Sequence, residues 1–252
     1  MILYFFAFVF GSVVGSFLNV CIYRIPRNIS IVFPPSFCPS CNNNIPPYYN
    51  IPIMGYLILK GKCKFCHVRI SLRYPIIEAL TGFFSLISVI KWGFPENIIY
   101  FGFISALIVI TFIDLDFQII PDIISLPGIA LGYVISVFIF KRGFFEPLIA
   151  IITGGGIFYA IGKGYELIKK IEGLGGGDVK LMAMFGAFLG IKAIPFIILV
   201  SSLTGTVVGI YLMIFKKKDS KFAIPFGPFL CFGAVLYIFF GQKVIDWYIN
   251  LL

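Results

Sequence analysis

The sequence predicts an all-α polytopic membrane protein with about eight transmembrane helices and one small polar loop domain. Three observations carry this expectation. Of 252 residues, 60% are apolar and only 12% are charged, against a charged share of about 25% in soluble domains. Mean hydropathy is +1.01. The apolar residues run in long continuous stretches rather than in the every-second-residue pattern of an outer-membrane barrel. A helix satisfies its own backbone polar groups in lipid, so such stretches span as helices. The same composition excludes a soluble single-core enzyme, a disordered chain, a collagen and a coiled coil.

A span needs about 20 apolar residues. Eight segments are candidates: 2–22, 75–93, 97–115, 122–140, 147–166, 179–190, 194–215 and 224–242. The first has the length of a signal peptide. It lacks a basic leading region and continues into Asn19–Arg24, so it reads as a retained helix. The sixth is short and carries Gly186 and Gly190. It either tilts or borders a cavity rather than lipid.

The net charge is +9. No DNA-binding pattern accompanies it, so lipid and cytoplasmic loops, not nucleic acid, account for the excess. The 23–74 loop holds Arg24, Arg27, Lys60, Lys62, Lys64, Arg69 and Arg73 and no acid. Placing that loop in the cytoplasm puts fifteen of the 20 Lys and Arg residues inside, including Lys163, Lys169, Lys170, Lys180, Lys216, Lys217, Lys218 and Lys221. Lys91, Lys141, Arg142, Lys192 and Lys243 fall outside. The expected topology is therefore a multi-pass membrane protein with both termini outside. Residues 1–95 form an N-terminal region with the first two helices and the loop; residues 96–252 form a six-helix region.

The loop contains Cys38-Pro-Ser-Cys41 and Cys63-Lys-Phe-Cys66, with 21 residues between the pairs. This is the spacing of a four-thiolate zinc site. A reducing cytoplasm favours metal over disulfides, although two disulfides are the competing pairing. The loop is Pro-rich and too small for a large core, so zinc would act as its folding centre. His67, the single histidine, is an alternative ligand to Cys66. Cys21 and Cys231 lie in apolar segments and read as buried fillers.

Only eleven residues are acidic. Asp114, Asp116, Asp122 and Asp178 stand at the cytoplasmic ends of apolar helices, where an ionisable group is costly and usually functional. Asp122 follows Pro121 and reads first as a helix cap; Asp116 reads as a solvated interface residue. Asp178 follows Gly175, Gly176 and Gly177, which lack Cβ atoms and let a chain approach closely. Two carboxyl groups on different helices at one depth share a water and a proton, one serving as acid and the other as base. Such a pair hydrolyses a peptide bond. Asp114 and Asp116 differ by about 200° around a helix, so only one of them faces Asp178. The acids also suit an ion- or proton-coupled transporter.

Gly15-Ser16-Phe17-Leu18-Asn19-Val20-Cys21-Ile22-Tyr23-Arg24-Ile25-Pro26, the two Cys pairs, Arg73-Tyr74-Pro75 with Glu78-Ala79-Leu80-Thr81-Gly82, Asp114 with Pro121-Asp122, Gly175 to Leu181, and Ile224-Pro225-Phe226-Gly227-Pro228-Phe229 follow one another in that order. In this they resemble the bacterial type IV prepilin peptidase family, also called prepilin leader peptidase/N-methyltransferase. The resemblance covers nearly the whole chain. It implies a GxGD-type aspartyl protease that removes the short basic leader from type IV prepilin or pseudopilin precursors at the cytoplasmic membrane face. It implies Asp114, eight positions before Asp122, and Asp178 as the catalytic pair, with Asp116 a bystander. It also implies methylation of the new N-terminus from S-adenosylmethionine, and it names no residues for that donor.

Overall fold

The computed structural model describes residues 2–170, 175–216 and 224–250. Gly173 and Leu174, which open the Gly-rich stretch, and Lys217, Lys218 and Lys221 lie outside the described residues. Helices dominate: α1 (Ile2–Arg24), α2 (Met54–Ile58), α3 (Arg73–Lys91), α4 (Glu96–Phe117), α5 (Asp122–Phe138), α6 (Phe145–Lys169), α7 (Gly176–Leu189), α8 (Ala193–Lys216), α9 (Gly227–Leu236) and α10 (Gln242–Ile249). A π-turn, Tyr237–Gly241, joins the last two. Among the described residues there are two isolated β-bridges and no strand.

All eight apolar segments are helical. Six helices are long and apolar enough to cross a membrane: Ile2–Arg27, Arg73–Lys91, Glu96–Phe117, Phe145–Lys169, Ala193–Phe215 and Gly227–Trp247. The expected count of eight is not reached on length. Helix α5 has 17 residues and α7 has 14, about 26 and 21 Å of axis against a hydrocarbon core of about 30 Å.

The chain forms two compact units, Met1–Val109 and Ile110–Leu252. In the first, α1 lies on α3 through small residues. Cβ atoms at Gly11 and Gly82 would run into Ser85 and Ser12 on the opposite helix. Close backbone approach of this kind holds helices together in lipid, where no hydrophobic force separates them from acyl chains. Ser85 Oγ donates to the Ala7 carbonyl at 2.7 Å, and Asn19 Nδ2 donates to the Tyr74 carbonyl at 3.1 Å.

In the second unit α7 is the core. Its residues from Leu181 to Leu189 are all buried, and it packs against α5, α6, α8 and α9. That sheltering explains the short sixth segment: protein, not acyl chain, surrounds it. Ser136 Oγ on α5 donates to the Ala187 carbonyl at 2.6 Å. Arg142 donates to the Phe188 carbonyl at 3.0 Å, placing a cation at the negative C-terminal end of α7. What α7 presents at its other end decides the chemistry of this unit.

Candidate active site and metal cluster

The N-terminal end of α7 begins at Gly175, whose backbone is extended (φ −67°, ψ 142°). No side chain caps this end, so the capping role available to Asp178 is not used. Asp178 stands in the first helical turn instead and is half-buried. Asp114 stands near the end of α4 and is only 5% exposed. The Gly227 N–H at the start of α9 donates to its Oδ2 at 3.0 Å.

Asp114 and Asp178 line one cavity of about 660 Å³ with Gly175, Gly176 and Gly177. Their carboxyl groups interact electrostatically across it. Asp122 and Lys180 also line it, and Gln118, Ile119, Ile120, Ile224, Pro225 and Phe226 complete the wall. Asp116 is exposed and does not line the cavity. The helical geometry that left Asp114 and Asp116 as alternatives is thus resolved: α4 turns Asp114 inward.

The three glycines differ in their surroundings. A Cβ at Gly177 would press against the Ile120 side chain, whereas one at Gly176 meets nothing. Gly177 lets α7 seat against the α4–α5 connection, and Gly176 leaves the cavity wall open.

Asp122 departs from its expected role. The N-cap position of α5 is Pro121, and no side chain caps it. Asp122 instead binds Lys180, whose Nζ lies 2.7 and 2.8 Å from the two carboxylate oxygens. Lys180 is therefore committed to Asp122. Gly227, Phe226 and Ile120 were not singled out as site residues. The only signal for Gly227 was its place in the Pro225–Pro228 stretch, where a Gly-Pro dipeptide marks a turn.

The loop brings Cys38, Cys41, Cys63 and Cys66 together, with all four sulfurs within 4.8 Å of one another. Cys38 and Cys66 sulfurs are 3.9 Å apart, and those of Cys41 and Cys63 are 4.0 Å apart. Tetrahedral zinc with sulfur at 2.3 Å needs a separation of about 3.8 Å, so the donor set fits that ion. The two knuckles share one backbone design. Bridges Phe37↔Asn44 and Lys62↔Arg69 close them, and Asn42 and His67 occupy equivalent positions with φ of 56° and 57°. His67 thus has a backbone role and lies outside the sulfur cluster. The Phe65 N–H donates to the Cys63 sulfur at 3.4 Å, a contact of the kind that favours the thiolate a metal binds.

The second unit thus has two carboxyl groups lining one cavity, and the first has a cluster of four cysteine sulfurs. The model of the bacterial peptidase A24 N-terminal domain matches residues 9–92, and that of the type IV leader peptidase family matches residues 101–210. The chain belongs to the type IV leader peptidase family. The peptidase-family match contains both Asp114 and Asp178, and the N-terminal match contains all four loop cysteines. Curated relatives named prepilin leader peptidase/N-methyltransferase agree over nearly full length. The protein of Neisseria gonorrhoeae is 36% identical over 97% of this chain and 94% of its own length. That of Legionella pneumophila is 34% identical over 96% and 92%. That of Aeromonas salmonicida (strain A449) is 32% identical over 96% and 92%. No solved structure matches.

Proposed function

We propose that this family member is a multi-pass aspartyl endopeptidase that removes the short basic leader from type IV prepilin-like precursors and methylates the new N-terminus. One observation carries the reading: Asp114 and Asp178, from separate helices, line one cavity whose remaining wall includes three consecutive glycines. The names of its relatives support this function over an ion-coupled transporter.

The chemistry follows from the pair. The two carboxyl groups share one proton. The ionised group takes a proton from water as the oxygen attacks the scissile carbonyl, and the protonated group donates to the carbonyl oxygen. Collapse of the tetrahedral intermediate breaks the C–N bond, with the proton passed to the departing nitrogen. The Gly227 N–H orients the Asp114 carboxyl group, and Gly175 to Gly177 admit the extended scissile segment.

In this reading α5 and α7 complete eight spans, the cavity opens to the cytoplasm, both termini lie outside, and the membrane is the inner membrane. Residues 1–95 and 96–252 divide the work between loop region and peptidase region. Zinc on Cys38, Cys41, Cys63 and Cys66 staples the loop. Methylation of the new terminal amine would draw its methyl group from S-adenosylmethionine, the donor that the N-methyltransferase name of the relatives suggests. The test is incubation of the purified protein in liposomes with a pilin-like precursor. N-terminal mass analysis is expected to show loss of the leader, and an intact precursor would overturn the reading.

A further inference from the structure

The second unit holds another cavity, an open groove of about 440 Å³ along one side of α8. Ser202, Gly205, Thr206 and Gly209 form its floor, and Ile224, Phe226 and Phe229 form its far wall. The floor residues recur at i, i+3, i+4 and i+7, which is one face of a helix. Met213 extends that face to about 16 Å of helix axis. Ile224 and Phe226 line this groove and also line the cavity that holds Asp114 and Asp178. The two spaces therefore share a wall. Phe226 immediately precedes Gly227, whose N–H holds the Asp114 carboxyl group.

The floor is built differently from the helix crossings elsewhere in the chain. A Cβ at Gly186 would strike the Ala150 backbone, because α6 packs directly on it. At Gly205 the nearest atoms to a Cβ would be ring carbons of Phe226 and Phe229 at 3.6 Å, and at Gly209 the Ile224 Cδ1 at 3.7 Å. Those are ordinary side-chain contacts. Glycine inside a helix is unfavourable relative to alanine, and at these two positions it leaves room rather than closing a crossing. Thr206 Oγ1 donates to the Ser202 carbonyl at 2.7 Å, within its own helix, so the hydroxyl asks nothing of an occupant. Only 17% of the α8 span is buried, the smallest share among the six candidate spans.

We propose that this groove seats an apolar membrane helix of the precursor and delivers the end of that helix past Phe226 to the carboxyl pair. The proposal rests on the peptidase reading and names the surface that presents its substrate. A floor of small residues lets a second helix approach closely in lipid, and the apolar walls give a charged ligand nothing to bind. The shared wall selects the occupant: a helix lying past Ile224 and Phe226 is one side chain away from the catalytic cavity, and the precursor is the helix whose chain must enter it. Contacts along α8, remote from the scissile bond, then hold that bond in register with the two carboxyl groups.

The test uses the full-length protein in lipid nanodiscs with a pilin-like precursor. Asp178→Asn holds the precursor uncut, and diazirine leucine placed along the precursor's apolar segment labels what it touches on irradiation. Label is expected within residues 202–213 and 224–229. Thr206→Phe fills the groove from its floor; thermal midpoint and zinc content report that it folds, and the label map decides independently of it. Thr206→Phe is expected to lower kcat/KM for the full precursor by about 30-fold, the scale of one overpacking clash. A truncated substrate ending shortly after the scissile bond should lose less than about threefold, because it has no helix to displace. Val207→Phe, on an exposed neighbouring face of α8, should process both at the wild-type rate. Label confined to other helices, or an equal loss on the two substrates in Thr206→Phe, would overturn the groove while leaving the peptidase intact. A wild-type dimer that Thr206→Phe breaks, with precursor label elsewhere, would give the groove to a second copy of the chain and overturn it too. Wild-type protein that cuts no precursor would remove the peptidase reading, and the groove with it.

Discussion

Lys180 Nζ lies within 2.8 Å of both carboxylate oxygens of Asp122, tying the N-terminal ends of α5 and α7 together at the rim of the cavity that holds Asp114 and Asp178. The pair is substantially exposed, with side chains 38% and 55% accessible. Exposed ion pairs contribute about 0–1 kcal/mol. Lys180→Met is therefore expected to shift unfolding by no more than that amount. Asp122→Asn should keep cleavage within about tenfold, or 1.4 kcal/mol of barrier. Initial rates on a precursor check this. Loss in Asp122→Asn as deep as that in Asp114→Asn would place Asp122 in the chemistry.

Gly227 has a narrower tolerance. A Cβ there would stand against the Asp114 carboxyl group that its N–H binds. Gly227→Ala is expected to lower kcat by about 100-fold, because displacement near 1 Å of a catalytic group carries a penalty of that order. The fall should be in kcat rather than KM, measured with a precursor peptide in detergent.

Gly176 and Gly177 should separate in the same assay. Ala at Gly177 meets Ile120, whereas Ala at Gly176 meets open space. Gly177→Ala is expected to lower thermal stability by about 1–3 kcal/mol through overpacking. Gly176→Ala should stay within about 0.5 kcal/mol of wild type, and differential melting compares the two directly.

The thiolate cluster predicts about one zinc per chain by elemental analysis, the stoichiometry of a closed four-sulfur site. Replacing Cys38 and Cys63 together by Ser should abolish it and leave the loop sensitive to protease, since metal binding and folding are coupled in such small domains. Full metal occupancy in the double variant would contradict the assignment.

How much of this was legible in the sequence depends on the range of the interaction. Continuous apolar runs located eight helical segments, six of them long and apolar enough to cross a membrane, because hydropathy is a local property. Cys38, Cys41, Cys63 and Cys66 were legible as a cluster because a knuckle is a local turn whose spacing encodes its ligands. The 14-residue α7 could not be judged a span or a core helix, since burial of Leu181 to Leu189 depends on four neighbouring helices. The choice between Asp114 and Asp116 was not fixed by the residues alone either. It follows from the rotation of α4, which tertiary packing sets. Asp122 was read as a cap because Pro-Asp at a helix start has that local preference, and Lys180, 58 positions later, takes the carboxylate instead. Glu78 was visible only as part of a family-like stretch; its burial against Ile53 needs the folded loop.

The central claim is that Asp114 and Asp178 together hydrolyse the leader peptide bond. The most direct measurement is precursor cleavage by Asp114→Asn, Asp178→Asn and the double variant in liposomes, each with normal insertion and zinc content. The account predicts that either single change lowers the rate to the level of the double variant, as expected of residues that act as one unit. A single variant that processes precursor at the wild-type rate would contradict it.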